Sequence, residues 1–305
     1  MMRAYRCLPV AFAALLPVAA NAACEPSFVE GSNIVTITPP VSFDNQRLVE
    51  RFSVRVRNDG SEVCTLRLGV GREIASTGLR FPVYSLTGPS GNEPVAGLSG
   101  TGDSTGFGSE FIVPANGQVS VPYELRMAVG WGSEAGTYAE DLVFQLLDVQ
   151  SGREIAGQRT RSGRAITNQR TRLSLEIPRS TRIRFAGASR GDGPARIEMG
   201  PLSATAPTRS PPFALRILST SAYRIDLVSQ NRGALRRSDG PDLIPYRMTL
   251  GGQAVNLSGA AYSRQIGRAT SSVGDVHPVT IVIDPDSTRH AGQYSDRVTV
   301  TVTAI

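Results

Sequence analysis

Ala291-Gly-Gln-Tyr-Ser-Asp-Arg-Val-Thr-Val-Thr-Val-Thr-Ala-Ile305 is the stretch from which the fold of this chain can be read. Tyr294, Val298, Val300 and Val302 fall on one side, while Ser295, Arg297, Thr299, Thr301 and Thr303 fall on the other. A period of two carried by β-branched residues marks a half-buried strand. Ala291-Gly292 supplies the turn that enters it, because glycine tolerates backbone angles other residues avoid. The strand is expected to close its sheet, with no later strand to pair against.

The phrase has an earlier copy. Ala135-Gly-Thr-Tyr-Ala-Glu-Asp-Leu-Val-Phe-Gln-Leu146 matches residues 291–302 as A-G-x-Y-x-acid-x-aliphatic-x-apolar-x-aliphatic. Two turn-plus-strand copies half a chain apart imply two similar β domains in tandem. Composition agrees: 31 Gly and 20 Pro accompany 6% aromatic residues, and no long helical period is present. In the second half the expected core is Ile183, Phe185, Phe213, Leu215, Ile217, Tyr223, Ile225, Leu227, Tyr246, Met248, Leu250, Val279, Ile281, Ile283 and the closing valines. Every segment there is strand-like and no crossover helix is visible, so the sheets should be antiparallel in a sandwich.

The start of the chain reads as a targeting segment. Arg3 and Arg6 precede an apolar run over 8–20 too short to span a bilayer, and Ala20-Asn21-Ala22 offers small residues for cleavage. Residues 1–22 are read as a secretory signal peptide. A lipoprotein acylated at Cys24 is the rival, though Asn21 stands where such a signal usually has leucine. Cleavage removes Cys7 and leaves Cys24 and Cys64, which in an oxidising compartment most simply form one disulfide. All 32 basic residues are arginine, and the formal charge is +6 for the whole chain.

Phe52, Val54 and Val56 alternate with Arg51, Ser53, Arg55 and Arg57, followed by Asn58-Asp59-Gly60 and a return run through Cys64, Leu66 and Leu68. This predicts a hairpin with an arginine-studded outer face that serves solubility. Residues 87–108 are dominated by Gly, Ser, Thr, Pro and Asn and read as loop. Strands resume at 111–113 and 118–125. Trp131, the only tryptophan, lies between Gly130 and Gly132. It either folds back over the end of the sandwich or, with Phe107 and Val129, forms an exposed apolar finger that touches a surface. Residues 150–190 carry ten arginines and must include the connection between domains; a solvated linker is favoured over a polyanion site. Leu173, Leu175 and Ile177 alternate and either complete the first domain or begin the second.

Nothing points to catalysis. His277 and His290 have no nucleophile in a strand-turn-helix context, and no paired-carboxylate pattern appears. Asp284-Pro-Asp286 is a turn with too few oxygen ligands for calcium, and two distant histidines cannot complete a zinc shell. No enzyme, cofactor, metal or nucleic-acid partner is expected.

Several segments together resemble a known family. Tyr223-Arg-Ile-Asp-Leu-Val-Ser-Gln-Asn-Arg-Gly-Ala-Leu235 carries S-x-N-x-G-x-L, and Ile244-Pro-Tyr-Arg-Met-Thr-Leu-Gly-Gly252 carries I-x-Y. With His277-Pro-Val-Thr-Ile-Val-Ile283 and the closing strand, they resemble the spore-coat-U-like domains that form subunits of archaic chaperone–usher pili. The resemblance covers 175–305 and is weak over 24–165.

It implies two tandem immunoglobulin-like antiparallel β-sandwiches, an adhesin domain over 23–165 and a pilin domain over 175–305 that lacks a strand. Such a groove is filled by a periplasmic chaperone and then by a donor strand from the next subunit. A chain with an extra domain in place of a donor extension implies the pilus tip. That implies an outer-membrane usher as a further partner, passage through the periplasm to the cell surface, and attachment to a host or abiotic surface in biofilm formation. A two-domain surface coat protein of the same type is the alternative, and a periplasmic chaperone a more distant one.

Overall fold

The computed structural model describes residues 24–149 and 164–305, apart from 32, 40–42, 45, 74–78, 90, 94–95, 98–106 and 188–193. The segment over 1–22 expected to be a signal peptide, and Arg153, Arg159, Arg161 and Arg190 of the expected linker, lie outside the described residues. Every regular element among the described residues is a β-strand.

The first sandwich begins with β1 (Pro26–Phe28), β2 (Ile34–Ile37), β3 (Gln46–Asn58) and β4 (Cys64–Glu73). It continues with β5 (Tyr84–Gly88), β6 (Gly91–Glu93), β7 (Ala96–Gly97) and β8 (Phe107–Val113). The long strands β9 (Gln118–Val129), β10 (Gly136–Asp148) and β11 (Arg164–Ile177) complete it. One sheet runs β1-β3-β9-β5-β6, and the facing sheet runs β2-β11-β10-β4-β7 with β8 also on β4. Their inner faces bury Val54, Val56, Leu66, Leu68, Tyr123, Leu125, Leu142, Phe144, Leu146, Leu173 and Leu175 in one core. Alternation places these side chains inward because successive residues of a strand face opposite ways.

The run from Phe52 to Leu68 is not the hairpin its pattern predicts. β3 and β4 belong to opposite sheets, so Asn58-Asp59-Gly60 is an arch between them. The buried Asn58 holds that arch: its Oδ1 accepts from the backbone N–H groups of Gly60 (2.9 Å) and Glu25 (3.1 Å), and its Nδ2 donates to the carbonyls of Glu62 and Pro114. A turn signal marks a reversal of the chain, not which strand pairs next. The expected loop over 87–108 likewise contains the hairpin of β5 and β6, while residues 98–106 lie outside the described residues. Strand β11 pairs with β10 and β2, so the first sandwich runs to Ile177, past the expected boundary at 165.

Cys24 and Cys64 are bonded, with Cα atoms 5.5 Å apart. Cys24 leads into β1 and Cys64 opens β4, so the bridge ties one sheet to the other.

The second sandwich opens with β12 (Thr181–Ala186), β13 (Thr208–Arg209) and β14 (Phe213–Ser219). Next come β15 (Tyr223–Ser229), β16 (Ala234–Arg237), β17 (Leu243–Pro245), β18 (Arg247–Leu250), β19 (Gln253–Val255) and β20 (Tyr262–Ile266). The last strands are β21 (Asp275–Ile283), β22 (Tyr294–Ser295) and β23 (Val298–Ala304). The sheet orders are β12-β14-β21-β18-β19 with β13 on β21, then β20-β15-β23, then β17-β16-β22. Apart from Ile283, which is buried outside it, the residues predicted from the sequence lie in or against the core found, with Leu215, Ile217, Tyr223, Ile225 and Leu227 at its centre. Val255 and Leu257 are buried there as well and are not among those expected.

Candidate functional site

The repeated A-G-x-Y phrase has the same geometry in both sandwiches. Gly136 and Gly292 sit at φ 151° and 155°, a backbone setting that disfavours any side chain. Two residues later the Tyr138 hydroxyl donates to the carbonyl of Glu134 (2.6 Å), and the Tyr294 hydroxyl donates to that of His290 (3.0 Å). Each tyrosine thus locks a corner four residues back, the device that opens a central strand in immunoglobulin-like sandwiches. The acid of the phrase also repeats its role: Glu140 accepts the Tyr84 hydroxyl, and Asp296 accepts the Tyr246 hydroxyl at 2.6 Å.

Beyond the two corners the strands have different neighbours. In the first sandwich β10 is paired on both edges, with β4 and with β11. Its inward residues Leu142, Phe144 and Leu146 are each 0% exposed. In the second, β23 is paired with β15 alone among the described residues. The corresponding Val298, Val300 and Val302 are only half-buried. Across from this free edge lies β12, itself an edge strand that among the described residues is bonded only to β14. Its inward residues Ile183 and Phe185 are also half-buried against the same core. The Thr181 hydroxyl donates to the carbonyl of Val302 (3.2 Å) at one end, yet the two strands exchange no ladder bonds. The site is therefore an apolar groove between two unpaired strand edges, where the first sandwich has β11.

Residues of three of the four family-like segments meet beside this groove. The carboxylate of Asp296 accepts the Ser229 hydroxyl (2.6 Å), the Tyr246 hydroxyl and the Asn231 backbone N–H (3.0 Å). Ser229 Oγ accepts in turn from the Gly233 N–H at 2.7 Å. One carboxylate thus fixes the turn after β15, the start of β18 and the entry to β23. Burial and the neighbouring carboxylate push the Tyr246 phenol up. Replacing Asp296 by alanine leaves two hydroxyls and an N–H without their acceptor. It should cost the second sandwich about 3 kcal/mol, read as a lower urea midpoint, with Asp296→Asn milder. An unchanged midpoint for Asp296→Ala would remove the carboxylate from the account of how β23 is held.

The surface-contact residues expected from the sequence are not brought together as a finger. Val129 is 1% exposed in the first core, so it presents nothing to a surface. Phe107 opens β8 opposite Gly69, on another sheet. Trp131 folds back over the sandwich end, its ring 5.3 Å from that of Phe43 and its Nε1 donating to Asp44 at 3.0 Å. It belongs to a joint between the sandwiches. Arg182 and Arg184, on the outer face of β12, pair with Asp44, and the Ala135 N–H donates to the Thr220 carbonyl. The indole N–H and Arg182 hold the Asp44 carboxyl below the usual carboxylate range. Sequence alternation could not reveal this joint, because its partners lie 87 and 138 positions apart.

His277 lies in a core network at the other end of the second sandwich. Its Nε2 is 3.1 Å from the Tyr223 hydroxyl, which donates to Asp275 (2.9 Å). Burial, with Arg264 nearby, pushes the imidazole below its ordinary value. Among the described residues no group of three or more His, Cys, Asp or Glu is placed to hold a metal ion.

No family model and no curated protein matches the sequence. Among the solved structures to which the chain is similar are adhesins and chaperones of chaperone–usher systems. One comes from the CsuC–CsuE chaperone–tip adhesion subunit pre-assembly complex of the archaic Csu pili of Acinetobacter baumannii. It shows 15% identity over 88% of this chain and 97% of that one, with a TM-score of 0.42. CfaE, the adhesive subunit of CFA/I fimbria of enterotoxigenic Escherichia coli, shows 9% identity over 88% of this chain and 82% of its own, with a TM-score of 0.30. The class 5 fimbriae chaperone CfaA shows 8% identity over 90% of this chain and 98% of its own, with a TM-score of 0.24.

Proposed function

We propose that this chain is the tip subunit of a chaperone–usher pilus of the archaic, spore-coat-U-like type. The second sandwich accepts a donor strand, and the first meets the surface to which the pilus attaches. The observation that carries the reading is internal to the molecule. The same corner and strand are accompanied by a covering strand in the first sandwich and by an open groove in the second. An extended segment with alternating apolar side chains fits there in two ways. Its backbone pairs with the free edges of β12 and β23, and its side chains complete the half-buried layer of Ile183, Phe185, Val298, Val300 and Val302.

On this reading a periplasmic chaperone occupies the groove before assembly, and a neighbouring subunit's extension replaces it at the usher. The disulfide agrees with passage through an oxidising compartment. Affinity purification of the tagged full chain from the periplasm of its source cell should bring down one chaperone in stoichiometric amount. A polar substitution in the groove, Val300→Asp, should abolish that capture. Recovery of the chain alone points to the coat-protein alternative, and recovery of many pilin subunits to a chaperone.

A further inference from the structure

We propose that the outer face of β3 and β9 is a binding site for an extended acidic polysaccharide. The five-stranded sheet turns Leu48, Phe52, Val54 and Val56 of β3 to the core, and Arg47, Arg51, Arg55 and Arg57 to solvent. The antiparallel register sets Arg126 of β9 opposite Val49, so it joins the same face. Strand geometry spaces Arg47, Arg51 and Arg55 about 13 Å apart and stretches the row to roughly 33 Å. Two carboxylates stand near it. Glu124 is shared between Arg51 (2.9 Å) and Arg126, and Asp59 meets Arg57 at 2.8 Å. Five arginines against these two acids leave +3, half of the formal +6 of the whole chain.

Arg47 and Arg55 are exposed and form no ion pair among the described residues. Ser53, Ser120 and Gln118 lie opposite or beside Arg55 and Arg57 in the register, and Ala128 stands opposite Arg47. The face is thus a long strip, interrupted by the exposed Val49, with more guanidinium than it neutralises itself. Guanidinium forks match carboxylate and sulfate oxygens in pairs, and a row of them suits a polymer better than a single small anion. Among the described residues the face carries no aromatic side chain on which a base could stack, and no helix that could enter a duplex groove. Sugar acids or sugar sulfates therefore fit it better than nucleic acid.

This inference deepens the adhesive role proposed for the first sandwich by naming a ligand class, and it is independent of the groove. The test is direct binding of the full chain to heparin and to polygalacturonate, with neutral dextran and a DNA duplex as comparisons. Binding to both acidic polymers is expected, weakening by about tenfold or more from about 50 to about 200 mM salt as counterions compete. The double variant Arg47→Gln/Arg55→Gln should lose about tenfold in affinity at the lower salt. Arg209→Gln/Arg236→Gln, which removes the same charge from the second sandwich, should change it by less than about twofold. Four results overturn the proposal: no binding, equal losses in the two double variants, salt-independent binding, or tighter binding to a DNA duplex than to the polysaccharides. Chaperone capture by the groove is read separately, so either result can fail without the other.

Discussion

A donor strand fused after Ile305 through a flexible linker should raise the melting transition of the second sandwich by about 20 °C or more. Strand β11 is the natural pattern for the donor, because Leu173, Leu175 and Ile177 fill the corresponding place in the first sandwich and are 0–2% exposed. A hairpin-like fusion also reproduces its antiparallel pairing with the preceding strand. Three or four donor side chains would each contribute about 1.5–3 kcal/mol of apolar burial. The sum, roughly 5–12 kcal/mol, rivals the whole stability of an ordinary domain. Differential scanning calorimetry of the full chain, with and without the donor, is the measurement. A donor whose alternating leucines are replaced by serine should give little of the shift. If the unfused second sandwich already melts cooperatively at high temperature and the donor moves nothing, the groove is closed by other means and the tip-subunit reading fails.

Reduction should act on the opposite sandwich. The Cys24–Cys64 bond closes a loop with a sequence separation of 40 and ties the sheet of β1 to the sheet of β4. In the chain-entropy account such a cross-link contributes about 4 kcal/mol. The first transition should therefore fall by about 10 °C on reduction. The cysteine-free second sandwich should hold its transition unchanged. Mass spectrometry of the protein purified from its source cell that found both thiols free, or Cys24 acylated, would rule the bridge out. A first transition insensitive to reductant would show that the bridge carries no stability.

Much of this architecture is legible in the residues. Alternation over 298–302 and 142–146 reports which side chains face a core, because the strand period is two regardless of context. The two A-G-x-Y corners are equally readable, since a glycine at φ near 150° and a tyrosine bonded four residues back are local devices. The pairing of the cysteines is given by their number once Cys7 is set aside.

Other features depend on neighbours that are distant in sequence. The alternation of β3 and β4 is the same whether they form a hairpin or, as found, lie in opposite sheets; the buried Asn58 decides it through carbonyls at Glu62 and Pro114. Val129 and Trp131 sit two residues apart on either side of Gly130. Yet one enters the core, and the other caps it through Phe43 and Asp44. Asp296 gains its meaning only where Ser229, Asn231 and Tyr246 converge on it. The groove shows the limit most plainly. Leu142 and Val298 occupy the same position of the same phrase, and their sequences alone call for the same burial. By itself, then, the sequence determined the faces, the corners and the disulfide, each a matter of chain period or local geometry. Only the tertiary structure decided which strand edges are covered, because an edge is open or closed according to what packs beside it, and no residue encodes its neighbour's absence.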